Sequence, residues 1–184
     1  GEQGLTSLDE IAKTLLDSLK KIENENQYEK TKIKDILFAS TGVIGEEFPV
    51  EKIRNSIPNL VSNLRINQNK LIWLKVASAI MTTDTKPKVA YSEIKLGDKI
   101  VKIAGLAKGS GMIAPNLATM FSFIFTDADI SSVVLNKYLS KVLFNTFNAI
   151  TVDSDTSTND MVAIFSTKKI KSKKLNIISS KEAI

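Results

Sequence analysis

The feature that most constrains this chain is a pair of alternating segments around a tight break. Apolar and polar side chains alternate over 89–95, Leu96-Gly97-Asp98 interrupts them, and alternation resumes over 99–107. A period of two sends successive side chains to opposite faces of a strand, and a short Gly/Asp break between two such runs is a hairpin signal. A chain holding this element must build a sheet and then cover it. Residues 119–126, centred on Met120, Phe121, Phe123 and Phe125, and residues 161–166 supply further strands. The apolar run 36–40 reads as a short buried strand, and 150–152 as a strand or turn.

The helical period appears elsewhere. Ser7 and Glu10 form a capping box, and Leu8, Ile11, Ala12, Leu15, Leu16, Leu19 and Ile22 then share one face, predicting a helix over 8–22. Residues 24–31 form a polar loop. Pro49 is placed like a first helical residue, followed by Val50, Ile53 and Ile57, and Pro58 is expected to open a separate short helix through 64. Residues 71–81 are apolar enough for a buried helix that stops at Thr82-Thr83-Asp84-Thr85, whose short polar side chains compete for backbone hydrogen bonds. Asp127-Ala128-Asp129 is expected to cap a helix over 132–147. Helices before, between and after strand pairs give a layered α+β fold, and the 184 residues suit one domain, 1–184.

Composition removes several chemistries. There is no cysteine and no histidine. Disulfides, thiolate nucleophiles, Ser-His-Asp or Cys-His catalysis and His/Cys metal sites are therefore excluded from this stretch. The net charge of +5 is almost all lysine, since Arg54 and Arg65 are the only arginines. Nucleic-acid recognition would want arginine forks and exposed aromatics, so the charge reads as a solvated surface. The cluster 168–174 reads as a solvated edge, with a phosphate contact as the weaker alternative. No secretory signal opens the chain and no apolar run approaches the ~20 residues of a membrane span, so neither nucleic acid nor membrane is expected as a partner. The polar loop 153–160 offers alternate oxygens but lacks the spacing of a calcium loop, and Asp153 and Asp155 read as loop-ordering acceptors. No metal is expected.

The most unusual local sequence is Lys108-Gly-Ser-Gly-Met-Ile-Ala-Pro-Asn-Leu-Ala-Thr119-Met. Its glycines permit positive φ, Pro115 fixes its own φ, and the threonine then begins an apolar strand. Taken alone, this run reads best as a hairpin exit loop with an exposed lysine, and it does not match the phosphate-binding loop pattern.

The same run resembles the signature of the ornithine acetyltransferases, also called glutamate N-acetyltransferases. Four more stretches resemble that family in the same order: Gly1-Glu-Gln-Gly, Ala39-Ser-Thr-Gly-Val-Ile-Gly-Glu46, Ala79-Ile-Met-Thr-Thr-Asp-Thr-Lys-Pro-Lys88 and Ile150-Thr-Val-Asp-Ser-Asp-Thr-Ser-Thr-Asn-Asp160. Leu117 stands where the family usually has methionine and Ser154 where it has glycine. The resemblance implies autocatalytic cleavage between Ala118 and Thr119, making 1–118 part of an α chain and 119–184 the start of a β chain. It also implies that family sequence extends beyond both ends of this stretch.

Thr119 would then carry acetyl from N-acetyl-L-ornithine to L-glutamate, with Thr41 and Gly42 as the oxyanion hole and Thr85, Lys108 and Thr119 contacting substrate. An N-terminal threonine amine can activate its own hydroxyl, which suits a chain without histidine. The family's fold is a layered α/β/β/α sandwich shared with self-processing aminopeptidases, its cleavage products assemble as a heterotetramer, and its setting is cytoplasmic biosynthesis of arginine. No cofactor is implied, and acetyl-CoA stays open as a second acetyl donor. The alternatives are a self-processing amidohydrolase or aminopeptidase with an N-terminal nucleophile, and a non-catalytic domain.

Overall fold

The computed structural model describes residues 2–22, 28–41, 45–64, 70–111, 120–152 and 160–171. They fall into two compact units, Gly1–Gln68 and Asn69–Ile184.

The first unit is helical among its described residues. Helix α1 spans Glu2–Leu19, a 3-10 turn spans Ile33–Asp35, and α2 spans Val50–Ser62. Ile11 and Leu19 of α1 bury against Ile57 and Val61 of α2, with Leu15, Ile22, Tyr28, Phe48, Val50 and Ile53 packed around them. On the surface, the Arg54 guanidinium donates to Thr14 Oγ1 at 3.3 Å and to Glu51 Oε1 at 3.0 Å, so one of the chain's two arginines ties α2 to α1.

Three expectations fail here. The first helix begins before Ser7, which is buried within it, because nothing from Glu2 to Thr6 forbids helix; Gly4 costs only about 1 kcal/mol relative to alanine. Pro58 does not start a new helix but lies inside α2. Its missing N–H and its ring cost the helix about 3 kcal/mol, and burial of Ile57 and Val61 on either side opposes that cost. Residues 36–40 are not a strand: Leu37 and Phe38 are exposed and no ladder pairs them among the described residues. A short apolar run carries no intrinsic strand signal without a partner.

The second unit holds α3 (Lys70–Ala79), β1 (Lys88–Leu96), β2 (Lys99–Lys108), β3 (Phe121–Ala128), α4 (Ser132–Leu143), a 3-10 turn (Phe147–Ala149) and β4 (Met161–Ile170). One sheet runs in the order β1-β2-β3-β4. The first three strands are antiparallel neighbours, and β4 lies parallel to β3 after the α4 crossover. The expected hairpin is present, and Gly97 occupies the turn at φ +69°, a conformation that a side chain disfavours. The register puts Ala104, Leu106 and Lys108 on one face with Phe121, Phe123 and Phe125, where Trp73 of α3 meets Phe125 edge-on at 5.3 Å. The fold is α+β, as the alternation of elements required.

Helix α4 is capped by Ser131, whose Oγ accepts from Val134 N–H, and not by the 127–129 acids. Asp127 instead accepts from Lys102 N–H at 2.8 Å across the sheet, beside a bulge between Thr126 and Ala128. Residues 71–81 are not a buried helix: Ala77 is fully covered, while Leu71, Leu74 and Val76 are exposed. β4 continues four residues past the expected 166, and its exposed Lys168 and Lys169 suit an outer strand, where lysine discourages edge pairing.

Ile57 joins the two helices of the first unit and is 5% exposed. Ile57→Ala should lower the unfolding free energy in urea by about 2–4 kcal/mol, the usual cost of emptying a buried aliphatic site. A loss below about 1 kcal/mol would mean that Ile57 does not carry this packing.

Candidate active site

Of the residues singled out in the sequence, Thr41, Thr85 and Lys108 lie among the described residues, whereas Gly42, Ala118, Thr119, Asp153 and Asp155 lie outside them. Thr41 belongs to the first unit. It is half-buried and lines a cavity of about 570 Å³ with Phe38, Ser40, Glu46 and Phe48.

Lys108 is the last residue of β2 and sits opposite Phe121. Strand alternation divides it from its neighbour: Ala107 lines a cavity of about 490 Å³ with Ala90, Gly105, Ser122 and Ile124, while Lys108 is on the other face. Lys108 is only 2% exposed, which rules out the solvated strand-end lysine. Its ammonium lies 5.2 Å from the centroid of the Phe121 ring, within the range where a cation gains from the ring quadrupole. Burial pulls its pKa below the ordinary lysine value, and the negative charge of Asp84 resists that fall.

Asp84 organises this corner. Its carboxylate accepts from Gly109 N–H at 2.8 Å and pairs with the Lys88 ammonium, which also donates to the Gly109 carbonyl at 2.9 Å. The backbone N–H and carbonyl of Gly109 are thus both fastened, where φ is +138° and glycine is the natural occupant. Burial pushes the Asp84 pKa upward, but Lys88 and the Gly109 and Thr82 amides outweigh it and hold the carboxyl below its usual range. Its second oxygen is buried and has no hydrogen-bond partner among the described residues. Thr85 is exposed and follows Asp84 directly, so the Asp84–Gly109 bond carries it to the end of β2.

The start of β3 is fastened by a second carboxylate. Met120 N–H donates to Asp160 Oδ1 at 2.5 Å, and the Met120 carbonyl accepts from Met161 N–H at 2.9 Å. The β3–β4 ladder, whose first pair is Phe121 with Met161, is thereby extended one residue upstream by a side chain. Burial raises the Asp160 pKa, and the Met120 amide opposes the rise.

This corner combines a buried ammonium against an aromatic ring with a nearby carboxylate that braces the backbone at Gly109. A desolvated cation interacts far more strongly with an anion than a hydrated one. The sequence reading missed the roles of Asp84 and Asp160. Asp84 passes for a helix stop and Asp160 for the end of a polar loop, because their partners lie 25 and 40 residues away and no local period reports them.

A group whose folded pKa is depressed stabilises above its unfolded pKa and loses that contribution as pH falls through the folded value. The Asp84→Asn variant should therefore be less stable than the parent at pH 7 in urea unfolding. That deficit should shrink as pH drops below about 3.9, the ordinary aspartate value. A deficit independent of pH would show that the charge is not what braces Gly109.

The sequence model of the ArgJ family matches residues 1–183. An Arginine biosynthesis bifunctional protein ArgJ from Mesorhizobium japonicum is 52% identical over 135 residues, covering 73% of this chain and 32% of that protein. The protein of the same name from Bartonella quintana is 44% identical over 171 residues, covering 93% of this chain and 38% of its own length. That from Chlorobaculum tepidum is 50% identical over 135 residues, covering 73% and 32%. The chain spans roughly a third of the length of these relatives.

Proposed function

Because the chain belongs to the ArgJ family, we propose that it is the central part of an acetyltransferase that moves acetyl from N-acetyl-L-ornithine to L-glutamate through an acetyl-threonine at Thr119. The single observation that carries this reading is Lys108, a lysine buried at the end of β2 and paired in register with Phe121, two residues after Thr119 in the chain.

Maturation comes first. Thr119 Oγ attacks the Ala118 carbonyl carbon, and the C–N bond of that peptide breaks as the nitrogen takes a proton. The resulting ester is hydrolysed by water, leaving a carboxylate on Ala118 and a free amine on Thr119. That amine has a reference pKa of about 7.7–8.0, so a useful fraction is neutral near physiological pH. It then accepts the Oγ proton when Oγ attacks the acetyl carbonyl of N-acetylornithine. The ornithine amine leaves with that proton, and the glutamate amine attacks the acetyl ester, regenerating the hydroxyl.

Thr41 hydroxyl and Gly42 N–H stabilise the oxyanion of each tetrahedral intermediate, a contribution of about 3–4 kcal/mol per donor in such sites. Lys108 receives the substrate carboxylate, and Thr85 supplies a hydroxyl contact. An anion binding beside Lys108 offsets the burial that depresses its pKa, so substrate binding and lysine protonation reinforce each other.

In this reading residues 1–184 belong to one domain of the α/β/β/α type, the pieces ending at Ala118 and starting at Thr119 stay together in a heterotetramer, and the enzyme works in the cytoplasm without a bound cofactor. Acetyl-CoA serves as a second donor if the enzyme also starts the pathway.

Intact-mass analysis of the full-length protein should give two pieces split before residue 119, and Thr119→Ala should give one uncut polypeptide. With N-acetylornithine, turnover beyond one equivalent of ornithine should require glutamate, with a transient acetyl adduct on the Thr119 peptide. Acetate release without glutamate would instead indicate an amidohydrolase. In the same assay Lys108→Met should raise the KM for glutamate at least tenfold; an unchanged KM would remove Lys108 from the binding site.

A further inference from the structure

We propose that Asp160 is a positioning residue for the nucleophile, acting through the Met120 amide. The inference rests on the role proposed for Thr119 and gives a role to Asp160, the last residue of the family-resembling stretch 150–160.

The geometry of Met120 is the starting point. Asp160 Oδ1 takes its N–H at 2.5 Å and Met161 N–H reaches its carbonyl at 2.9 Å, so Asp160, just before β4, and Met161, the first residue of β4, hold both backbone polar groups of the residue that precedes β3. Met120 is itself buried, 6% exposed, and the ladder proper begins one residue later with Phe121 and Met161. The N–H that Asp160 holds belongs to the peptide joining Thr119 to Met120. Whatever restrains that peptide plane restrains the Cα from which Oγ and the future amine both project. The β4 ladder reaches only the Met120 carbonyl, which lies in the following peptide, so the hold on the Thr119–Met120 N–H comes from the Asp160 side chain.

The chemistry of the holder argues that the bond serves more than loop order. Burial raises the Asp160 pKa, and its second oxygen is buried with no hydrogen-bond partner among the described residues. A buried carboxylate oxygen without a partner costs stability. For folding alone, a residue with one acceptor and no charge would serve as well at lower cost. Asp160 therefore spends stability to hold the backbone that carries the nucleophile, a pattern expected where reacting groups must be kept within a fraction of an ångström.

The role predicts a specific kinetic pattern in the full-length protein. Asp160→Ala should slow self-cleavage and lower kcat by about 10–100-fold, the scale of a misplacement near 1 Å, while KM for N-acetylornithine and glutamate stays within about twofold. Asp160→Asn retains an acceptor oxygen and should restore most of both rates, with a melting temperature at or above that of the parent. If Asp160→Ala does not yield folded protein, Asp160→Glu decides, since it moves the acceptor by one methylene and should show the same fall in kcat at unchanged KM.

Normal cleavage and kcat in the alanine variant, or a rise in KM at constant kcat, would overturn the proposal. So would an Asn variant as impaired as alanine. A parent protein that is never cut before residue 119 would instead remove the Thr119 reading on which it stands.

Discussion

The geometry of the second unit depends on β3 being hydrogen-bonded on both sides by strands of opposite sense. The antiparallel neighbour β2 brings Lys108 opposite Phe121, and the parallel neighbour β4 brings Met161 opposite the same residue. The first end is supplied by a chain running toward the Gly-rich motif and the second by a chain returning from the α4 crossover. Only an antiparallel and a parallel partner together deliver the end of one strand and the beginning of another to a single point. Parallel pairing demands a long connection, which α4 and its 3-10 turn provide. Topology thus assembles, from residues far apart in the chain, a cation on one side of Phe121 and a carboxylate beside Met120.

Burying these charges has a cost that shows in their protonation. Lys108 is pulled down and Asp160 pushed up by the same loss of water, whereas Asp84, with Lys88 and an amide beside it, ends below its usual range. The contrast separates two uses of a buried carboxylate. Asp84 is compensated and braces the turn at Gly109. Asp160 has only the Met120 amide set against its burial, where Asp84 also has the Lys88 ammonium, although each leaves its second oxygen without a hydrogen-bond partner among the described residues.

The hairpin, the phenylalanine-rich strand and the α+β class were legible because alternation is a local signal, and the face of Ile11, Leu15 and Leu19 was legible because helical periodicity is another. What failed was non-local. Pro58 marks a helix start by its own chemistry, yet α2 passes through it because Ile57 and Val61 bury against α1. The run 36–40 has strand-like composition, but a strand exists only where a partner presents its edge. The acids 127–129 look like a cap, yet Asp127 finds a better donor in Lys102 of the next strand, leaving Ser131 to cap α4. At the candidate site, Lys108 and Thr85 were reached through motif resemblance. Asp84 and Asp160 were not, because their meaning lies in amides that the fold alone brings to them.

The sheet also bears on what cleavage before Thr119 would do to the molecule. A break there falls between β2 and β3, so the two pieces share the ladder from Ile103–Thr126 to Lys108–Phe121. Trp73 of the first piece meets Phe125 of the second, and Asp84 and Lys88, which brace Gly109, lie wholly in the first. Asp160 and Met120 lie wholly in the second, so the clamp on the new terminus survives the cut. Severing one peptide before β3 removes none of these pairings. A chain broken before residue 119 would thus keep each of these contacts, because every one of them is made within a piece, across the β2–β3 ladder or between Trp73 and Phe125, and none runs through the severed bond.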